Sequence, residues 1–270
     1  MHEVGYCKDS KGTKHIVLVF PYLRHDLFGL MAKGVRLSPN QIQKVGKGLA
    51  EGLTAIHSLS IIHRDLKSAN ILLDNSGSVV LADFGLAVRV AESFQTGFHV
   101  PVCTLMYQAP ESLFQVSSGY GYKADVWGLG CILAELLLGQ PLFCVAKNYS
   151  QLLELILLRY GQAAIDDWPE LKETKAFQTF SHRVKVDRDF GSLLRRKAPD
   201  APEGLIDLIE KMLTLNPENR LSARQVLEHP FMDIDNRHMA DSLITLEEDC
   251  HELTVRRDMN RLRELGKRVA

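Results

Sequence analysis

His63-Arg64-Asp65-Leu66-Lys67-Ser68-Ala69-Asn70, followed thirteen residues later by Asp83-Phe84-Gly85, is the stretch on which the reading of this chain turns. Asp65 offers a carboxylate able to orient an attacking hydroxyl. Asn70 and Asp83 offer oxygen ligands of the kind that suits magnesium, a hard cation that in turn gathers nucleotide phosphates. Taken alone, an Asp before Phe-Gly is as easily a local Asx turn. The partner Asn70 at the matching distance is what makes the pair a candidate metal site. Together these residues point to phosphoryl transfer.

The flanks supply a scaffold. Ile71-Leu-Leu73 and Val79-Val-Leu-Ala82 surround Asp74-Asn-Ser-Gly77, which predicts a short hairpin carrying the metal-type residues at its ends. Upstream, Ser38-Pro39 is a helix start, with Ser as N-cap and Pro at N1. From there Ile42, Val45, Leu49, Leu53 and Ile56 recur at helical spacing. The spacing also predicts a short helix over 25–32. His15 to Phe20 is an apolar, β-branched run after the turn-like Lys8 to Thr13, and reads as the second half of a hairpin begun by Glu3 to Cys7. Residues 86–108 are mixed and irregular, as expected of a functional loop. Beyond them helical periodicity dominates, broken near Gly139-Gln-Pro141, Trp168-Pro169 and Arg195 to Pro202. After Phe231 the chain turns polar, with Leu246, Leu253, Leu262 and Leu265 loosely helical. The leucines sustain no heptad, so this tail reads as a solvated helix on the main body rather than a coiled-coil partner helix.

Composition narrows the class. The chain has 270 residues, a net charge of −1, 46% hydrophobic and 24% charged residues. That balance suits a globular domain and gives no sign of a nucleic-acid surface or an acidic tail. Val126 to Leu138 is too short to span a bilayer, carries Glu135, and reads as a buried helix. The N-terminus lacks a secretory pattern. Five scattered cysteines, odd in number and without metal spacing, fit a reducing compartment.

The motifs resemble those of eukaryotic protein kinases over roughly residues 3–232. The agreement comprises the loop at 63–70, Asp83 to Gly85, Ala109-Pro110-Glu111, Asp125-Val-Trp-Gly128 and Arg220, in order and spacing. The implied fold is α+β, protein-kinase-like, mainly the α-rich C-terminal lobe with a remnant of the small β lobe. The implied division is a remnant and hinge at 1–23, the lobe at 24–232 and a charged helical tail at 233–270. The implied cofactors are ATP and Mg2+. By this resemblance Asp65 and Lys67 serve catalysis, Lys67 holding the transferring phosphoryl group as in serine/threonine kinases, and Asn70 and Asp83 hold magnesium. Phe20 would back the adenine pocket, Pro21 and Leu23 would offer hinge backbone groups, and Leu72 would form the floor. Asp125 would hold the catalytic loop, and Glu111 and Arg220 would form a buried ion pair. Thr104 would touch Asp65 and Lys67.

Leu18-Val-Phe20, His25-Asp-Leu27, Lys67-Ser-Ala-Asn70 and Pro141-Leu-Phe143 resemble the cyclin-dependent kinases, most closely their transcription-regulating branch. This implies a protein substrate, a cyclin-like partner and a nuclear or cytoplasmic location, with no nucleic acid or membrane involved. Three departures stand out. Gln108 replaces the arginine that in this family favours proline after the target residue, and Met106 replaces a tryptophan. His99 occupies the usual activating threonine position, which leaves Thr96 as the expected phosphosite beside Ser93. No glycine-rich loop, strand lysine or cyclin-docking helix is found in these residues. Two readings are therefore carried forward: a serine/threonine kinase, and a truncated pseudokinase-like binding module with weak nucleotide affinity.

Overall fold

The structure is a computed structural model that describes residues 2–74, 78–90, 105–116, 121–184, 190–233 and 250–257. Among the described residues, seven strands form three small sheets. β1 (Glu3–Lys8) pairs antiparallel with β2 (Lys14–Val19), in the register Glu3↔Val19 to Lys8↔Lys14. The turn between them is set by Asp9, whose Oδ1 accepts the N–H groups of Lys11 and Thr13 at 2.9 Å each. A second sheet has the order β3 (His25–Asp26), β5 (Ile71–Leu73), β6 (Val79–Leu81). β4 (Ile61–Ile62) pairs with β7 (Val88–Arg89).

The predicted catalytic hairpin is therefore present as β5 and β6. The helix expected over 25–32 starts later. Asp26 is extended and caps it, accepting from Gly29 N, so the helix α1 runs Leu27–Ala32 and His25–Asp26 joins the sheet instead.

Helix α2 (Pro39–Ser58) starts where the sequence signals it. Ser38 Oγ accepts from Gln41 N while Gln41 Oε1 accepts from Ser38 N, a capping box that satisfies two otherwise orphaned donors. Its inward face is Ile42, Val45, Leu49 and Leu53. This face packs on the central helix Tyr122–Leu138, buried on nearly all sides from Ala124 to Leu136. Such a helix belongs in the middle of a lobe. Trp127, Phe143, Trp168 and Phe114 fill the core around it. Gly128 lets the central helix pass close to the loop 63–70: a Cβ there would lie 2.8 Å from Leu66 Cβ. No helix among the described residues is long and apolar enough to cross a membrane.

Candidate active site

The loop 63–70 is held from below by one buried carboxylate. Asp125, on the first turn of the central helix, accepts His63 N at 2.9 Å and Arg64 N at 3.0 Å, and its Oδ2 lies 2.8 Å from His57 Nε2. Three donors offset the cost of burying that charge. Arg64 is thereby fixed at φ 69°, a left-handed conformation that a non-glycine residue holds only where its surroundings impose it. Its Nε donates to Leu86 O at 2.8 Å, tying the loop to the segment after Asp83.

His63 is fully buried and works in two directions. Asp65 N–H can only donate, so Nδ1 accepts it, at 3.3 Å. Nε2 is then the protonated ring nitrogen, and it donates to Ala82 O at 3.0 Å. One ring thus positions both the candidate base and the residue before Asp83. Ala82 N in turn donates to Asn70 O at 2.9 Å, bringing the two candidate magnesium ligands side by side on the β5–β6 hairpin.

The structure gathers Asp65, Lys67 and Asn70 directly. Asp65 Oδ2 receives Lys67 Nζ at 2.7 Å and Asn70 Nδ2 at 3.2 Å, and Asp65 O receives Asn70 Nδ2 at 2.8 Å. Asp83 is exposed, and its Oδ1 accepts Gly85 N at 3.2 Å. The local turn that the sequence allowed is therefore real, and it coexists with the juxtaposition to Asn70. The Phe84 ring meets His63 edge-on at 4.8 Å.

These residues fit magnesium. Asn70 spends its amide nitrogen on Asp65, and among the described residues its carbonyl oxygen takes no hydrogen bond. With Asp83 this makes a hard, all-oxygen donor pair. Among the described residues no group of three or more His, Cys, Asp or Glu side chains gathers as a metal cage. A magnesium ion here would complete its shell with phosphate and water, as that ion commonly does.

Leu72 follows directly from this loop, on β5, opposite Asp26 and Val80. Phe20, Pro21 and Leu23 lie on the segment joining β2 to β3. Phe20 is 57% exposed. Glu111 and Arg220 form the expected ion pair, bidentate at 2.8 and 2.9 Å, and the guanidinium lies over the Trp127 ring at 5.1 Å. Gln108 is buried, its Nε2 3.4 Å from Ser112 Oγ. Ser93, Thr96, His99 and Thr104 lie outside the described residues.

Two features escaped sequence reasoning. The first is the tail. The described segment 250–257 docks against Arg24 and Asp26: Cys250 and Val255 are buried, and Leu253 is exposed. Leu246, Leu262 and Leu265 lie outside the described residues. Cys250 N donates to Arg24 O at 3.1 Å, and Glu252 N donates to Asp26 Oδ2 at 2.6 Å. Asp26 Oδ1 accepts Gly29 N at 2.6 Å, so one buried carboxylate caps both α1 and the tail's helical turn. Burial raises the Asp26 carboxyl above its ordinary range, against the pull of those two N–H groups. Tyr22 stacks on His251 with ring centroids 6.0 Å apart, and Arg256 sits 5.5 Å from the centroid of Phe28.

The second feature is Glu135, buried on the central helix and bonded to Tyr107 and Ser68. Its one sequence signal was a charge inside an otherwise apolar helix.

Comparison with known proteins identifies the family. The pattern of the family described as "Protein kinase domain" matches residues 4–232. The chain is 38% identical over 243 residues to cyclin-dependent kinase 12 of Caenorhabditis elegans, covering 87% of this chain and 32% of the relative. It is 34% identical over 228 residues to a probable CTD kinase subunit alpha homolog of Encephalitozoon cuniculi, covering 84% of this chain and 66% of the relative. Of cyclin-dependent kinase 12 from Drosophila melanogaster it spans 22% of the length, at 35% identity. The chain thus spans about a third or less of the cyclin-dependent kinase 12 proteins it matches. Among solved structures, the yeast RNA polymerase II CTD kinase CTDK-1 complex has a chain superposing with a TM-score of 0.73 at 29% identity, covering 86% of this chain and 75% of that one.

Proposed function

The chain belongs to the protein kinase family, and from that premise we propose that it transfers the γ-phosphoryl group of ATP to serine or threonine hydroxyls of protein substrates, as a cyclin-dependent type of kinase. The observation that carries this is the Asp65–Lys67–Asn70 cluster, with Asp83 set beside Asn70 by the Ala82–Asn70 backbone bond. Asp65 orients the incoming hydroxyl and accepts its proton. Lys67, already within reach of Asp65, places its ammonium where negative charge spreads over the transferring group. Asn70 and Asp83 hold magnesium, which when bound neutralises and gathers the phosphates. Phe20, Pro21, Leu23 and Leu72 border the adenine. This reading divides the chain into a small-lobe segment and hinge at 1–23, a catalytic lobe at 24–232 and a tail at 233–270. The intact cluster speaks for transfer over a binding-only role.

The relatives' names extend the reading. Proteins named as CTD kinases and cyclin-dependent kinases suggest a cyclin partner, a nuclear setting and RNA polymerase II CTD peptides as the first substrate to try.

The test is transfer from magnesium ATP to such a peptide by the purified chain and by Asp65→Asn. The variant is expected to lose at least about a hundredfold in rate, since general-base contributions run to about 10²–10⁴. Equal rates for the two proteins overturn the reading.

A further inference from the structure

Three oxygen-bearing side chains from three separate segments, Ser68 and Glu135 buried and Tyr107 half-buried, meet behind the loop 63–70. Ser68 follows Lys67 and begins the 3₁₀ turn Ser68–Asn70. Tyr107 ends the turn Leu105–Tyr107, ahead of Gln108 and the helix Pro110–Leu113. Glu135 projects from the central helix and is 2% exposed. Tyr107 Oη donates to Glu135 Oε2 at 2.6 Å. Ser68 Oγ lies 3.2 Å from Tyr107 Oη and 3.4 Å from Glu135 Oε1.

The proton arithmetic makes the three interdependent. Tyr107 commits its one proton to the carboxylate, which leaves its oxygen free to accept. Ser68 also has one proton, and both places it can go, Tyr107 Oη and Glu135 Oε1, belong to this cluster. Among the described residues the two hydroxyls are the hydrogen-bond donors to Glu135. When ionised, a buried carboxylate with only two neutral donors is costly to leave short of one. Any displacement of Tyr107 is therefore felt at Ser68, one residue from Lys67 and two from Asn70.

We propose that Ser68 is a positioning residue for the transfer reaction: through Tyr107 and Glu135 it makes the setting of Lys67 and Asn70 depend on the seating of segment 105–108. Its functional meaning rests on the kinase reading, in which the residues before Ala109-Pro110-Glu111 face the substrate peptide. Its physical content is the coupling itself.

Amide hydrogen exchange on the 270-residue chain decides the coupling without requiring transfer. Tyr107→Phe keeps the ring and removes the proton given to Glu135. It is expected to speed exchange across 65–73 by about threefold or more, Ser68→Ala to do the same, and the double variant to be no faster than the faster single. Acceleration confined to 105–113 in Tyr107→Phe, or effects that simply multiply, overturns the proposal. In protein that transfers phosphate, Ser68→Ala is expected to lower kcat about three- to tenfold with KM for ATP and peptide held within about twofold, and Ser68→Thr to recover most of the loss. An unchanged kcat in Ser68→Ala also overturns it. A chain without any transfer counts against the kinase reading, and exchange then decides the coupling alone.

Discussion

In residues 63–70 the polar groups of His63, Arg64 and Ser68 are answered from elsewhere in the lobe, by Asp125 below, Ala82 and Leu86 beside, Glu135 and Tyr107 behind. In the β1–β2 hairpin the reverse holds. Its backbone ladder is complete from Glu3 to Val19, yet Val4, Tyr6, Ile16, Leu18 and Phe20 all face outward. Side-chain anchors from distant segments fix one region, and local backbone pairing fixes the other. Each has its own vulnerability. A loop held by buried charges should fail through single polar substitutions, whereas a ladder should be nearly indifferent to what its exposed side chains are.

The largest effect is expected at Glu111→Ala. Arg220 would remain fully buried, with its carbonyl partners at Thr214, Lys123 and Leu215 but no counter-charge. Leaving one member of such a pair alone costs about 3–5 kcal/mol. Urea unfolding should show that loss, and the double variant Glu111→Gln with Arg220→Met should recover much of it. A loss below about 1 kcal/mol for Glu111→Ala would break the contrast, because the lobe would then not depend on its buried charges.

Glu135 gives the next effect, and its sign follows from burial. Desolvation pushes its carboxyl from an ordinary 4.5 up to about 7, against the hydrogen bonds from Tyr107 and Ser68. Between those values the folded chain keeps a proton that the unfolded chain has lost. Stability is therefore fully supported at the acid end of the window and declines as pH rises through about 7. The displacement corresponds to about 3 kcal/mol. Glu135→Gln should flatten this part of the profile, so that the variant gains on wild type between pH 5 and pH 8 in parallel urea melts. Asp26, also raised, is common to both proteins and drops out of the difference. The same slope in both would mean that the carboxyl does not titrate there.

What was legible in the sequence follows the same division. Asp125, Glu111 and Arg220 were placed by the resemblance to protein kinases, through the order and spacing of the motifs. The Ser38 capping box and the apolar stripe of α2 were written in residue type and spacing. The docking of the tail was not. Cys250 is held through its own N–H and the Arg24 carbonyl, groups that every non-proline residue carries. Asp26 was visible as part of His25-Asp-Leu27, but nothing local says that its second oxygen caps a turn 226 residues away. The Glu135 cluster was missed for a related reason: Ser68 and Tyr107 are common residues whose meaning arises only when three segments meet.

Gly29→Ala separates the tail from the lobe. A Cβ at that position would lie 1.7 Å from the Cys250 carbonyl oxygen, a backbone atom that cannot swing aside. Alanine also favours the helix α1 itself, by about 1 kcal/mol over glycine. The expected result is local: fast exchange at the amides of Cys250 and Glu252, with global stability changed by about 1 kcal/mol or less. Retained protection at those two amides would show that the tail is not seated against Gly29.

The smallest effect is expected in the hairpin, and it tests the comparison most directly. Ile16 is 67% exposed on β2, opposite Tyr6, while Ile42 is fully buried on the inward face of α2. Both are β-branched and both sit in regular structure, so propensity alone would treat Ile16→Thr and Ile42→Thr as modest changes. Burial sets them apart. Ile42→Thr places a hydroxyl in an apolar core and opens space beside it, which should cost about 2–4 kcal/mol. Ile16→Thr keeps a good strand former on a surface already in water, and should fall within about 0.5 kcal/mol of wild type. If Ile16→Thr instead costs as much as Ile42→Thr in the same urea titration, the hairpin face is covered in solution. The ladder could then no longer be described as held by its backbone alone.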